Sequence, residues 1–118
     1  FPLKSYLDNG IIAALGSDSP VIEADPMIGL YGAMTRSDKC SGTVAGQGQC
    51  IGIMDAIRMY TYNGAYASLE EDIKGSIEPG KLADLVVLSE NILETPVEKI
   101  KSVKADMTVI DGEIVYER

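Results

Sequence analysis

The chain has 118 residues with ten basic and eighteen acidic side chains, a formal charge of −8, no His, no Trp and two Cys. Its 46% hydrophobic and 24% charged content is that of a folded domain, one or part of one, and not of a disordered tail. The acidic excess, with its basic residues scattered, excludes a sequence-independent grip on nucleic acid or an anionic membrane, since both need clustered Lys and Arg.

At the start, Pro2 stands early, Leu3, Tyr6 and Leu7 recur at helical spacing, and Asn9 with Gly10 makes a stop, so a short amphipathic helix is expected. It runs into Ile11–Leu15, a continuous apolar run of strand length that reads as a parallel strand buried on both faces. A helix feeding such a strand is half of an α/β repeat. Residues 16–20, GSDSP, break the strand. Asp25 before Pro26 is a helix start, an N-cap followed by Pro at the first helical position, for a helix through Met34. Met27, Leu30, Tyr31 and Met34 share one of its faces, and Gly29 and Gly32 weaken it. Ser37–Gln49 carries no periodic signal. A second helix is predicted over Ile51–Tyr62, with Ile53, Met54, Ile57, Tyr60 and Thr61 inward, Asp55 and Arg58 outward, and Asn63 and Gly64 ending or interrupting it.

The character then changes. Residues 1–62 carry four basic against six acidic side chains and residues 63–118 six against twelve, which places a domain boundary near residue 70. Beyond it the sequence predicts a turn at Pro79 and Gly80, a strand at Ala83–Leu88, a capped turn at Thr95 and Pro96, and a strand over Val103–Ile110. Asp111 and Gly112 then link that strand to Glu113–Tyr116, a two-residue connection of hairpin type. The tail is largely β.

Phe1–Gly10 has neither a basic region nor an unbroken apolar stretch of the secretory kind, and the longest apolar runs fall far short of the roughly 20 residues that span a bilayer. A cytoplasmic chain is expected. Cys40 and Cys50 flank a Gly-rich stretch loose enough to let them meet; reduced thiols are the simpler expectation over a disulfide or a metal role, because a zinc site needs about four ligands and the chain has no His.

Chemistry concentrates at Asp18. A buried strand ending in GSDSP delivers one carboxylate to the carboxyl edge of a parallel sheet, where α/β barrels and open sheets assemble their active sites. There an Asp can ligate a metal or take a proton from metal-bound water; from spacing alone the simpler reading is an Asp that stabilises the turn by accepting from nearby backbone N–H groups. Gly75–Leu82 satisfies the spacing G-x-x-x-x-G-K of a phosphate-binding loop. Its context refutes that reading: Leu82 stands where a hydroxyl is required, Pro79 removes a donor, Glu78 repels phosphate, and a strand follows instead of a helix. Gly42–Gly48 follows no predicted strand and reads as a loop bordering a sheet edge. The five Met residues fall mainly on helix faces, as core.

Three stretches together resemble one family: DNGIIAALGSDSPV over residues 8–21, AIRMYTYNGAYA over 56–67 and GSIEPGKLADLVVL over 75–88, the last being the most specific. They look like the C-terminal end of a metal-dependent amidohydrolase, closest to the amidohydrolase family 3 branch with a composite domain. The resemblance covers nearly the whole chain apart from Ser37–Gln49. It implies an α/β plus β fold class: the C-terminal fragment of a (β/α)8 metal-dependent hydrolase barrel with part of the composite β-sandwich domain. Residues 1–69 would supply the last strand and terminal helices of the barrel, and residues 70–118 the C-terminal part of the sandwich. Asp18 matches the family's strand-eight aspartate, which binds the metal and accepts the proton of the attacking water.

The implied function is hydrolysis of a carbon–nitrogen bond of non-peptide amide type in a small-molecule substrate, with a divalent metal, zinc, in the full-length protein. The family's histidines, including a His-x-His pair, have no counterpart here, and a barrel alone takes roughly 250 residues. The 118 residues are therefore expected to bind no metal alone, to be inactive, and to self-associate through the unpaired Ile11–Leu15 strand. The alternative is a stand-alone, non-catalytic binding or assembly module derived from such a tail; a natural start codon at Phe1 would favour it.

Overall fold

The computed structural model describes residues 1–37 and 41–118. The chain forms α1 (Leu3–Asp8), α2 (Pro26–Thr35), α3 (Ile53–Tyr60) and α4 (Tyr62–Ala67), then β1 (Leu85–Leu88), β2 (Ala105–Ile110) and β3 (Glu113–Glu117). Short 3-10 turns lie at Gln47–Gln49 and Val97–Ser102.

Local signals explain most starts and stops. Asp25 caps α2 as expected, its carboxylate accepting from the Met27 N–H at 2.9 Å with Pro26 at the first helical position. Arg36 closes the helix in the left-handed region, φ 57°, its N–H donating to the Gly32 carbonyl. The hairpin at Asp111 and Gly112 has φ of 49° and 81°, the paired positive values that match the twist of the flanking strands. β2 is central, with β1 and β3 antiparallel on either side, and each ladder shifts register once, between Val87 and Leu88 and between Thr108 and Val109.

Four expectations need correction. Ile11–Leu15 is not a strand: it has no ladder partner, and Ile11 and Ile12 are 51% and 50% exposed. A strand buried on both faces needs neighbours, and the described residues supply none. Instead the segment is held by a bond from the Leu15 N–H to the Met59 carbonyl, 3.0 Å, and one from Asn63 Nδ2 to the Ala13 carbonyl, 2.8 Å. Second, the inward face of α3 centres on Ala56 and Met59, both fully buried, while Met54 is 61% exposed and Thr61 is exposed. Third, Asn63 and Gly64 lie inside α4; the helical path breaks two residues earlier, at Thr61, with ψ −90°. The bond to Ala13 explains why a turn-forming Asn is buried in a helix. Fourth, Thr95 and Pro96 lead into the 3-10 turn at Val97–Ser102, and the Thr95 hydroxyl donates back to the Asn91 carbonyl instead of capping it.

The buried cluster joins Leu3 of α1, Met27, Leu30 and Ala33 of α2, Ile51, and Ala56 and Met59 of α3 to Ile92, Ile100 and Val103. α2 packs against Val97–Ser102, where Lys101 sits over the Tyr31 ring at 4.3 Å from its centroid. Among the described residues no helix is long and apolar enough to cross a membrane.

Candidate active site

The turn after Ile11–Leu15 carries Asp18. Its backbone sits at φ 56°, a left-handed conformation that Asp tolerates better than most residues, and its carbonyl accepts from the Val21 N–H at 2.9 Å. The turn is also held by Ser17, whose hydroxyl accepts from the Ser19 N–H at 3.2 Å. The Asp18 side chain takes no part in this. It is exposed, and among the described residues its carboxylate makes no hydrogen bond or ion pair. Of the two uses open to Asp18 in the sequence, stabilising the turn through its side chain finds no support in these contacts.

Beside the turn, a cleft of about 270 Å³ opens between the 16–25 segment and α2, floored by Ser17, Ile22, Gly29 and Tyr60. α3 delivers Tyr60 into it, and burial raises the pKa of its hydroxyl above the ordinary tyrosine value. Gly29 makes that approach possible: a Cβ there would lie 1.8 Å from the Tyr60 hydroxyl oxygen. The sequence marks Tyr60 as inward and Gly29 as a weak point of a helix; the pair is the signal of a close approach, legible only once both helices are placed.

The other expected features fall elsewhere. Lys81 of the G-x-x-x-x-G-K stretch is spent on the protein itself: its ammonium donates to the Ser76 hydroxyl at 2.7 Å and to the Glu71 carbonyl, and pairs with Glu78 at 2.8 Å. Gly75, at φ 92°, lies so close to α4 that an added Cβ would meet Ala65 at 2.7 Å, so both ends of that motif have structural reasons. In the Gly42–Gly48 loop, Gly46 is left-handed at φ 72° and leads into the turn at Gln47–Gln49, where the Gln49 amide bonds Ser5 of α1 on both its oxygen and nitrogen. Cys50 is a half-buried free thiol; Cys40, and with it the question of their pairing, lies outside the described residues.

A zinc site takes three or four protein ligands. Asp18 fits the chemistry of one such donor, but among the described residues no three His, Cys, Asp or Glu side chains gather, and the sequence has no His. These residues by themselves do not make up a metal-binding set.

The family described as "Amidohydrolase family" matches residues 1–116. The Bacillus subtilis (strain 168) protein YtcJ, an amidohydrolase by name, is 32% identical over 120 residues, spanning all of this chain and 23% of its own length. The N-substituted formamide deformylase of Arthrobacter pascens is 33% identical over 118 residues, again spanning the whole chain and 22% of the relative. Among solved structures, an amidohydrolase from Thermotoga maritima MSB8 superposes with a TM-score of 0.75 at 29% identity, covering 98% of this chain and 26% of that one. The chain thus spans about a quarter of the length of the proteins it matches.

Proposed function

This chain belongs to the amidohydrolase family, and from that premise we propose that it is the C-terminal part of a longer metal-dependent hydrolase that breaks non-peptide carbon–nitrogen bonds in small molecules. In this reading residues 1–69 carry the terminal helices of a (β/α)8 barrel and the Ile11–Leu15 segment, which would become its last strand only beside barrel strands outside these residues, and residues 70–118 the C-terminal part of a composite β-sandwich. Members of the family are generally metal-dependent, and the deformylase relative acts, by its name, on an N-substituted formamide, a carbon–nitrogen bond outside a peptide. The observation that carries the reading to a residue is the Asp18 carboxylate, exposed and unengaged on a turn that other groups hold.

We assign Asp18 two tasks. Its carboxylate would be one holder of the metal, with the other ligands on polypeptide outside these residues, and the metal when bound would supply a water acidic enough to attack at neutral pH. As a general base and acid, the same carboxylate would hold a proton during attack and release it to the leaving nitrogen, so that an amine departs neutral. Zinc suits one carboxylate among nitrogen ligands. The cleft floored by Ser17 and Tyr60 borders the place where substrate would lie. Alone, the 118 residues hold one donor and turn over nothing.

The test is Asp18→Asn in the full-length protein. The isostere keeps the size of the side chain and removes the base, so the circular dichroism spectrum should be unchanged while turnover falls by about a hundred- to ten-thousand-fold. Unchanged turnover would remove Asp18 from the catalytic machinery. Cleavage of a model formamide by the 118-residue chain alone would overturn the partial-site reading.

A further inference from the structure

We propose that Asn63 is a positioning residue for Asp18: it fixes the Ile11–Leu15 segment so that the turn that follows presents the carboxylate on the side away from the helices. This rests on the assignment of Asp18 made above, and the experiment below separates the two.

Burial alternates along residues 12–18. Ala13, Leu15 and Ser17 are half-buried, the first two against the core cluster, whereas Ile12, Ala14, Gly16 and Asp18 are exposed. Neighbouring side chains of an extended segment point to opposite faces, so the odd-numbered residues face the helices and Asp18 falls with the even-numbered ones on the other side. Register therefore decides where the carboxylate goes. A slip of one residue past the helices would exchange the two faces, and a slip of two would keep the faces but carry Asp18 about 7 Å along the segment.

Among the described residues no ladder holds that register. Three hydrogen bonds do: the Ile11 N–H to the Tyr6 carbonyl at 2.8 Å, the Leu15 N–H to the Met59 carbonyl at 3.0 Å, and Asn63 Nδ2 to the Ala13 carbonyl at 2.8 Å. All three engage odd-numbered residues, hence one edge of the segment, and Asn63 stands where a neighbouring strand would otherwise supply a donor. The first bond is local to the end of α1 and the second joins main chain to main chain. The third depends on the identity of a side chain.

Asn63 is an unfavourable choice for its place on any other ground. It lies inside α4, 5% exposed, the one polar side chain in the buried set of the described residues. Asn is a poor helix former, and a buried amide needs a partner. The partner it gains lies on the segment that carries Asp18. α4 is itself held, with Ala65, two residues on, also 5% exposed, so the donor acts from a fixed place.

In the full-length protein, Asn63→Leu keeps a branched side chain of similar size and removes the donor. Misplacement of a reacting group by about 1 Å can cost about a hundredfold in rate, so kcat should fall about ten- to a hundredfold while KM stays within about threefold. Zinc should be lost to a chelator at an about tenfold lower chelator concentration, and residues 11–18 should exchange their amides faster. Asn63→Ala, which removes the same donor without bulk, should do the same. Ile100→Ala, which opens a cavity where α2 packs on Val97–Ser102, should keep the parental kcat at a temperature where every variant is folded. Parental kcat and zinc retention in both Asn63 variants, in a protein that Asp18→Asn inactivates, would overturn the positioning role and leave the Asp18 assignment standing. An equal loss of kcat in Ile100→Ala would overturn it too, because turnover would then follow stability. Parental turnover in Asp18→Asn would remove the assignment, and this role with it. If neither Asn63 variant folds, Asn63 serves the fold and the positioning role is overturned.

Discussion

At Gly29 two residue-scale effects have opposite signs. Replacing a mid-helix Gly by Ala ordinarily stabilises by about 1 kcal/mol. Here the added Cβ would sit 1.8 Å from the Tyr60 hydroxyl oxygen and 2.7 Å from the ring carbon that bears it. Displacing a ring packed against the core costs about 1–3 kcal/mol, so the steric effect wins. Gly29→Ala should lower the urea midpoint, and Tyr60→Leu in the same chain should recover part of the loss; a rise in the midpoint for Gly29→Ala alone would show that Tyr60 moves freely. Asn63 makes a second case. It is 5% exposed and donates to the Ala13 carbonyl, tying α4 to the segment leading to Asp18. Asn63→Ala leaves the Ala13 carbonyl without that donor, at a cost of about 1–3 kcal/mol, and residues 11–18 should exchange their amides faster. Sequence alone reads Asn63 and Gly64 as a helix stop because the dipeptide is turn-prone; the partner fifty residues away that reverses this has no local trace. Asp25 was legible for the converse reason, since its partner is the N–H two residues on.

At the scale of elements, what the sequence encodes locally was readable: α1, α2, the core of α3, the hairpin at Asp111 and the three strands of the tail. What needed distant partners was not. The Ile11–Leu15 run looks like a buried strand because it is apolar throughout, but apolarity specifies burial and not the strand beside it. Likewise Met54 has the helical spacing of its neighbours yet faces the open groove beside β1. The 68–82 connection, which contains the expected turn at Pro79 and Gly80, is fastened by two carboxylates. Glu70 is held below the ordinary carboxylate range by hydrogen bonds from Lys74 and from Ser68, and Glu78 by those from Lys81 and Ser76. A lowered folded-state pKa means that the stabilisation is full above the unfolded value and is lost as pH falls through the folded one. Acid should therefore loosen this connection, modestly because both groups are exposed to solvent. The unfolding midpoint of Glu78→Gln should fall less steeply with acidification than that of the parent chain; equal slopes would show that the pair with Lys81 contributes nothing.

Over the whole molecule, charge and core divide the chain differently. The acidic residues concentrate after residue 62, which is why composition suggests a boundary near 70, and the proposed assignment to barrel and sandwich follows that line. The buried cluster crosses it. Met59 from the first part and Ile100 and Val103 from the second are the largest fully buried side chains, and they belong to one cluster with Leu30 and Ala33. Removing either side exposes the apolar surface of the other, and a piece of either size buries too little to offset the entropy of ordering its backbone. Residues 1–69 and 70–118 expressed separately should both lack cooperative thermal transitions, and the intact chain should unfold in a single one. Within it, Met59→Ala and Ile100→Ala should each cost about 2–5 kcal/mol and shift that same transition, whichever spectroscopic probe is used. Two separable transitions, with Met59→Ala moving one and Ile100→Ala the other, would mean that the two parts are energetically independent despite their shared core.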